Sequence, residues 1–250
     1  MQPIIQIQQL TKKYKGADAL SLDDITFDIK TGEVFGLMGP NGAGKTTLIS
    51  ILCGLLKPTS GHFTLDGLTY AKDAQQIKKR IGVVPQEYAL YPTLTARENL
   101  DYFGSMYGLR GNDLKQKITE SLDFLGLLKF ADKRIETFSG GMKRRINLIA
   151  GILHEPKVLF LDEPTVGVDV HSKKAIIDYL KQLNQNGTTI IYTSHHLSEA
   201  EDFCSHIAIV DRGRIYAEGS PEALIARTEG ARHLEDVFLA LTGKDLRDAV

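Results

Sequence analysis

One eight-residue segment constrains this chain more than any other. Gly39-Pro40-Asn41-Gly42-Ala43-Gly44-Lys45-Thr46 fits the pattern G-x-x-x-x-G-K-[S/T] without a gap. By composition alone, such a match arises in about one chain of this length in a hundred. Its flanks narrow the reading. Residues 32–38 are a short apolar run, as expected of a buried strand, and Leu48, Ile51, Leu52 and Leu55 recur at helical spacing after Gly44. That helix is predicted to stop at Lys57-Pro58. A strand, a glycine-rich turn and a helix in this order build a phosphate cradle. Glycines let backbone N–H groups turn toward phosphate oxygens. The helix start adds free N–H groups and a dipole that favours anions. Lys45 supplies a point charge to β and γ phosphates, and Thr46 offers a hydroxyl to Mg²⁺.

The rest of the chain reads as strands and helices around that cradle. Strands are predicted at residues 4–10, near 63–65 and at 81–84. The middle third changes character. Ala96, Leu100, Phe103 and Tyr107 mark one helix; Leu114, Ile118, Leu122 and Leu125 mark a second; Met142, Ile146, Ile149 and Leu153 mark a third. Alternation then resumes. Val158-Leu159-Phe160-Leu161 suits a strand buried on both faces. A helix carrying Ile176, Leu180 and Leu183 closes at Gly187, and residues 188–192 form a β-branched strand. Residues 207–210 and 214–217 suggest a hairpin across Asp211-Arg212-Gly213, and a last helix runs over about 234–241. This alternation implies an α/β fold with a mostly parallel sheet and an inserted helical block.

Composition excludes several classes. The 250 residues are 42% apolar and 24% charged, which argues against disorder and against a small disulfide scaffold. Thirty Lys and Arg oppose 31 Asp and Glu, so the net charge is −1, with no support for a nucleic-acid partner. The longest stretch free of charge, residues 182–198, is rich in Gln, Asn, Thr, Ser and His and reads as no bilayer span. Met1-Gln2-Pro3 does not read as the start of a secretory signal. Cys53 and Cys204 stand in no metal-ligand spacing, which fits a reducing, cytoplasmic setting.

A second chemical motif follows the buried run. Leu161-Asp162-Glu163-Pro164 puts two acids at the C-terminal end of a strand, where open α/β sheets bind ligands. Asp162 is expected to hold Mg²⁺, directly or through water, and Glu163 to face and polarise the attacking water. In isolation the pair is equally compatible with a helix cap or a solvated turn. The phosphate loop in the same chain favours the nucleotide reading.

With these motifs in order, essentially the whole chain resembles the ATP-binding subunits of ABC transporters. Phe138-Ser139-Gly140-Gly141-Met142 looks like the signature segment of that family, whose norm is Leu-Ser-Gly-Gly-Gln. The first and fifth positions depart from the norm; Ser139, Gly140 and Gly141, the phosphate-facing part, do not. The resemblance implies a RecA-like P-loop NTPase core with an N-terminal antiparallel β part. It implies one domain over 1–250, with its core at about 1–86 and 155–225, a helical subdomain at about 87–154 and a helical tail at about 226–250. ATP and Mg²⁺ are the implied ligands. Residues 39–46, including Pro40, Asn41 and Ala43, would contact nucleotide together with Thr47, while Thr46, Gln86 and Asp162 would serve the metal.

The resemblance assigns further roles. Gln86, in Val84-Pro85-Gln86-Glu87, would sense Mg²⁺ and the attacking water. His195, in Thr193-Ser194-His195-His196, would bridge γ-phosphate and the catalytic base Glu163, with His196 a solvated helix-start residue. Asp169 matches the loop that crosses between subunits, although the commoner Leu and Pro are here Val168 and Val170. Tyr14 matches the aromatic that stacks on adenine. Two subunits, identical or homologous, would pack head to tail, each ATP lying between the loop of one and Ser139 of the other. A separate multi-span permease would carry the pore, and this chain would sit on the cytoplasmic face of the membrane. Tyr88-Ala89-Leu90-Tyr91-Pro92 would either line a groove for a permease helix or pack in the core. Residues 234–243 and Thr95-Ala96-Arg97-Glu98-Asn99-Leu100 look like the drug-exporter (ABC-2) type. The competing readings are an importer subunit, an ABC-type ATPase acting on ribosomes or DNA, and a P-loop kinase.

Overall fold

The computed structural model describes residues 3–243. In chain order the first elements are β1 (Pro3–Lys12), β2 (Leu22–Lys30), β3 (Val34–Met38), α1 (Lys45–Leu52), β4 (Ser60–Leu65), α2 (Tyr70–Arg80) and β5 (Ile81–Val84). The middle holds α3 (Ala96–Met106), α4 (Gly111–Phe124) and α5 (Gly140–Ile152), with two short 3₁₀ turns before α5. Then come β6 (Val158–Asp162), α6 (Val170–Gln185), β7 (Thr189–Ser194), α7 (Leu197–Phe203), β8 (His206–Asp211), β9 (Arg214–Gly219), α8 (Pro221–Arg227) and α9 (Leu234–Thr242). Of the expected C-terminal helical tail, residues 244–250 lie outside the described residues.

The described residues divide into two compact units, one built from residues 3–78 and 189–243, the other from 79–188. In the first unit β2, β1 and β4 form an antiparallel sheet in that order. In the same unit β3 lies between β7 and β8, parallel to both, and β8 turns back antiparallel into β9. All five residues of β3 and all six of β7 are buried. Strands covered on both faces cannot alternate, which is why these segments read as continuous apolar runs. Phe27 of β2 stacks on Phe35 of β3 with ring centroids 5.0 Å apart, joining the two sheets of this unit.

The second unit pairs β5 and β6 in parallel and contains α3, α4, α5 and α6. Val158, Leu159, Phe160 and Leu161 are each fully buried. Ile146, Leu148 and Ile149 of α5, Leu100 of α3 and Leu122 of α4 are buried in the same unit. Helix α3 starts at a reciprocal cap: Thr95 Oγ1 accepts from Glu98 N at 3.1 Å, and Thr95 N donates to Glu98 Oε2 at 2.7 Å. The local chemistry of Thr-x-x-Glu therefore explains part of the segment that resembles the exporter type.

Four elements escape the sequence patterns: β2, α2, α7 and α8. In β2 the inward residues are Leu22, Ile25, Phe27 and Ile29. Asp24 has a φ of 54°, and the register shifts between Leu10↔Ile25 and Lys12↔Leu22. The resulting bulge breaks the two-residue period on which strand recognition depends. Helix α2 buries only Ile77 and kinks at Asp73, so it carries no apolar stripe. Helix α1 also ends earlier than Lys57-Pro58. It stops at Leu52 because Gly54 turns to a φ of 74° against the Tyr70 ring, where a Cβ would lie 2.2 Å from a ring carbon.

Phe160→Ala removes a fully buried ring from β6. The expected cost is about 3–5 kcal/mol, read as a lower denaturant midpoint at unchanged slope. An unchanged midpoint would place Phe160 outside the packed core.

Candidate functional site

In the first unit the phosphate loop leaves the C-terminal end of β3. Gly39 has a φ of 154°, and a Cβ there would sit 2.0 Å from the Val210 carbonyl oxygen at the end of β8. Gly44 caps α1 with a φ of 109°, and its Cβ would lie 2.6 Å from the Ser21 carbonyl oxygen. Two of the motif's glycines are thus demanded by close backbone approach as well as by loop conformation. Lys45 is only 6% exposed, and its Nζ donates to the carbonyls of Gly39 at 2.6 Å and Pro40 at 3.1 Å. The ammonium is held inside the loop, where a phosphate oxygen would be met by a desolvated charge. Asn41, Gly42 and Thr46 are exposed along the rim, while Ala43 is buried and accepts from Gly213 N through its carbonyl.

The loop's surroundings in this unit include Tyr14 and Thr47. Thr47 Oγ1 lies 2.9 Å from Ser21 Oγ and 3.3 Å from Tyr14 Oη. Tyr14 is therefore fixed beside the start of α1 with its ring 43% exposed, and Lys12 Nζ stands 5.4 Å from the ring centroid. On the other flank, Met38 pairs with Ser194 in the β3–β7 register. His195 follows directly and so emerges at the same sheet end as Gly39. It is half-buried, whereas the neighbouring His196 is exposed and caps α7, its N–H donating to Ser194 Oγ at 2.9 Å. The two imidazoles thus have different environments.

The second unit gathers the acids. The β5–β6 register ends with Val84 opposite Leu161, so Gln86 and Glu163 leave the same end of the strand pair. Gln86 Nε2 donates to Glu163 Oε2 at 3.2 Å. Glu163 is 6% exposed and holds a φ of 50°, a left-handed conformation costly for a residue with a Cβ. Asp162 closes β6 half-exposed. Ser139 caps α5, its Oγ accepting from Met142 N at 3.3 Å, and Gly140 is exposed beside it. Gly141 is different. It is buried, and a Cβ there would meet Ser172 Oγ at 2.5 Å and Asp169 Oδ2 at 2.9 Å. Its lack of a side chain serves packing between α5 and the start of α6.

Asp169 caps α6: Oδ1 accepts from Ser172 N at 2.9 Å and Oδ2 from Ser172 Oγ at 2.7 Å. These bonds, to the backbone first and then the hydroxyl, hold its carboxyl below the usual range. Tyr88 and Tyr91 are 40% and 45% exposed, so segment 88–92 is surface rather than core. Buried Asn99 of α3 fixes Tyr91 by accepting from its N–H at 2.8 Å and donating to its carbonyl at 3.1 Å. Tyr102 meets the Tyr91 ring edge-on at 5.1 Å, and Met106 on the same helix is 68% exposed.

Two residues that sequence reasoning passed over face this site. Arg144 and Asn147 of α5 are 4% and 3% exposed. Arg144 Nη1 donates to the carbonyls of Gln86 at 2.8 Å and Pro85 at 3.2 Å, and its guanidinium lies 4.9 Å from the Tyr88 ring centroid. Burial lowers the Arg144 pKa, opposed by Tyr88, Glu163 and Asp162. In sequence the only available sign was a pair of polar residues three apart on the apolar side of an amphipathic helix.

Among the described residues no helix is long and apolar enough to cross a membrane. Residues 22–166 match the family model described as ABC transporter. The chain is 45% identical to the linearmycin resistance ATP-binding protein LnrL of Bacillus subtilis (strain 168), over 98% of this chain and 77% of that protein. It is 37% identical to the probable multidrug ABC transporter ATP-binding protein YbhF of Escherichia coli (strain K12), over 95% of this chain; it spans 41% of that longer protein. Among solved structures, a dimeric post-hydrolysis state of the ATP-binding cassette MJ0796 bound to ADP and Pi superposes with a TM-score of 0.78 at 28% identity, covering 86% of this chain and 98% of that one.

The Asp169 cap makes a pH prediction. Its folded-state pKa is lowered, so its stabilisation is complete above the ordinary carboxylate range and is lost as pH falls through the lowered value. The thermal midpoint of Asp169→Ala should lie below wild type at neutral pH, with the gap closing in acid. A gap that persists undiminished in acid would mean that the carboxylate bonds are not its cause.

Proposed function

This chain belongs to the ABC transporter family of ATP-binding proteins, and from that premise we propose that it hydrolyses ATP as the energising subunit of an exporter. The observation that carries the reading is the buried Glu163 carboxylate, held in a left-handed turn at the end of β6 and contacted by the Gln86 amide. A carboxylate placed so deliberately suits a general base. The resistance and multidrug names of the two relatives favour export over import. The domain follows the family plan: one cassette, with its helical part at about 87–154.

The roles divide between the two units. In the first, N–H groups of residues 39–46 and the Lys45 ammonium bind β and γ phosphates, and Thr47 continues the contact at the start of α1. Tyr14 offers its exposed ring to adenine. In the second, Glu163 takes a proton from the attacking water and Gln86 orients that carboxylate. In the first unit, His195 would contact γ-phosphate as the positioning partner of the base. Thr46, Asp162 and Gln86 carry the hard oxygen donors that would hold Mg²⁺, which when bound would supply charge neutralisation on the phosphates. Catalysis of this kind is positioning and electrostatics rather than covalent chemistry.

Ser139 and Gly140, exposed at the start of α5, serve the nucleotide of a second subunit, the same chain or a homologue, packed head to tail. Asp169 stands in the segment that crosses that boundary. Closure on ATP and release after hydrolysis are a phosphate-controlled order–disorder switch. The exposed Tyr88, Tyr91 and Tyr102 with Met106 form the face for a multi-span permease, which places the chain on the cytoplasmic side of the membrane.

Glu163→Gln should lower ATP turnover by about a hundredfold or more while nucleotide binding persists. Steady-state phosphate release and equilibrium nucleotide binding read the two quantities. Turnover near the wild-type rate would remove Glu163 as the base.

A further inference from the structure

Helix α5 does more in this structure than begin with Ser139. One stripe of it, Gly140, Arg144, Asn147 and Gly151, meets β5 and the loop that follows β5. At the far end Gly82 and Gly151 let the backbones touch: a Cβ on Gly82 would lie 2.2 Å from the Gly151 carbonyl oxygen, and one on Gly151 would lie 2.7 Å from Val84 Cγ2. One turn nearer the start, Asn147 Nδ2 donates to Pro85 O at 3.2 Å and its Oδ1 accepts from Ala89 N at 3.2 Å. Next, Arg144 bridges Pro85 O and Gln86 O. Finally Tyr88 Oη donates to Gly140 O at 3.2 Å. Residues 85–89 are thereby fastened to α5 at five hydrogen bonds along a single helix face.

We propose that Arg144 and Asn147 are positioning residues that couple helix α5 to the Gln86 amide and through it to Glu163. The inference rests on the reading of Glu163 as the base. Gln86 itself is exposed and sits on a loop, and loops are otherwise mobile. Anchoring its carbonyl to a rigid helix restricts the amide that touches Glu163 Oε2. Because α5 starts at Ser139, engagement of a second subunit's nucleotide there would pull on the same helix that sets Gln86. Packed helices move as units, so a small displacement at the Ser139 end reaches Arg144, one turn in, undiminished.

The side chain chosen is costly for a purely structural purpose. Arg144 is 4% exposed, and its Nε has no hydrogen-bond partner among the described residues. Burying a guanidinium is costly unless its donors are satisfied. Its geometry is better explained by the two carbonyls it joins than by packing.

A double-mutant cycle on the full chain separates positioning from packing. Arg144→Met should lower kcat about tenfold with KM for ATP changed by less than about twofold. Arg144→Lys, which keeps the charge on a single ammonium, should fall between. If Arg144 acts through Gln86, then Arg144→Met adds nothing to kcat loss once Gln86→Ala is present. Wild-type kcat in Arg144→Met, or losses that multiply in the double variant, overturns the proposal. Should Arg144→Met melt below the assay temperature, the same cycle with Arg144→Lys decides by the same criterion. Glu163→Gln is the control: inactive Glu163→Gln beside a fully active Arg144→Met sinks only this inference, whereas an active Glu163→Gln sinks the base assignment and this inference together.

Discussion

The parallel register of β3 between β7 and β8 is the constraint on which the phosphate-binding half depends. It sets Met38 opposite both Ser194 and Ile209, so β3 and β7 finish at one level while β8 runs on past them to Asp211. The turn after β3 must then pass against the Val210 carbonyl, and only glycine at position 39 leaves room. The same register delivers His195 beside the loop from a segment more than 150 residues away in sequence. Lys45 folds into the loop because two of that loop's carbonyls converge on its ammonium. Sheet register, loop conformation and charge placement are one arrangement seen at three scales.

The second unit repeats the logic with different chemistry. A two-strand register brings Gln86 and Glu163 to a common end, and buried strand residues hold that end rigid. Here the polar groups are fixed by a helix rather than by a loop. Helix α5 binds the Gln86 segment through Arg144 and Asn147, and its own first turn carries Ser139 and Gly140. Under the proposed function, one stiff helix would thus link the Ser139 end to the Gln86 loop.

Much of this was legible in the sequence where a residue pattern and a physical period coincide. Buried parallel strands leave unbroken apolar runs, so β3, β5 and β6 were found to within a residue or two. The phosphate loop and the Asp162-Glu163 pair announce themselves because their residue types have few other reasons to stand together. The reading of Ser139, Gln86, His195 and Asp169 as site residues rests on the family order, since a lone Ser-Gly-Gly, Gln or His is chemically mute. The illegible parts have identifiable causes. The Asp24 bulge hid β2, and the polar, kinked α2 offered no stripe. Arg144 and Asn147 looked like ordinary helix residues because their partners are backbone carbonyls and an N–H, which carry no sequence signal. Gly141 was read as a phosphate contact, yet the structure also gives it a packing reason against Ser172 and Asp169 that no motif encodes.

The central claim is that this chain is half of an ATPase whose site closes only when two subunits share nucleotide. Sedimentation of the Glu163→Gln protein with saturating ATP and Mg²⁺ tests it most directly, because the substitution leaves the nucleotide in place. The account predicts a species of twice the monomer mass that disperses when ADP replaces ATP. A monomer at saturating ATP, from protein shown to bind the nucleotide, would contradict it.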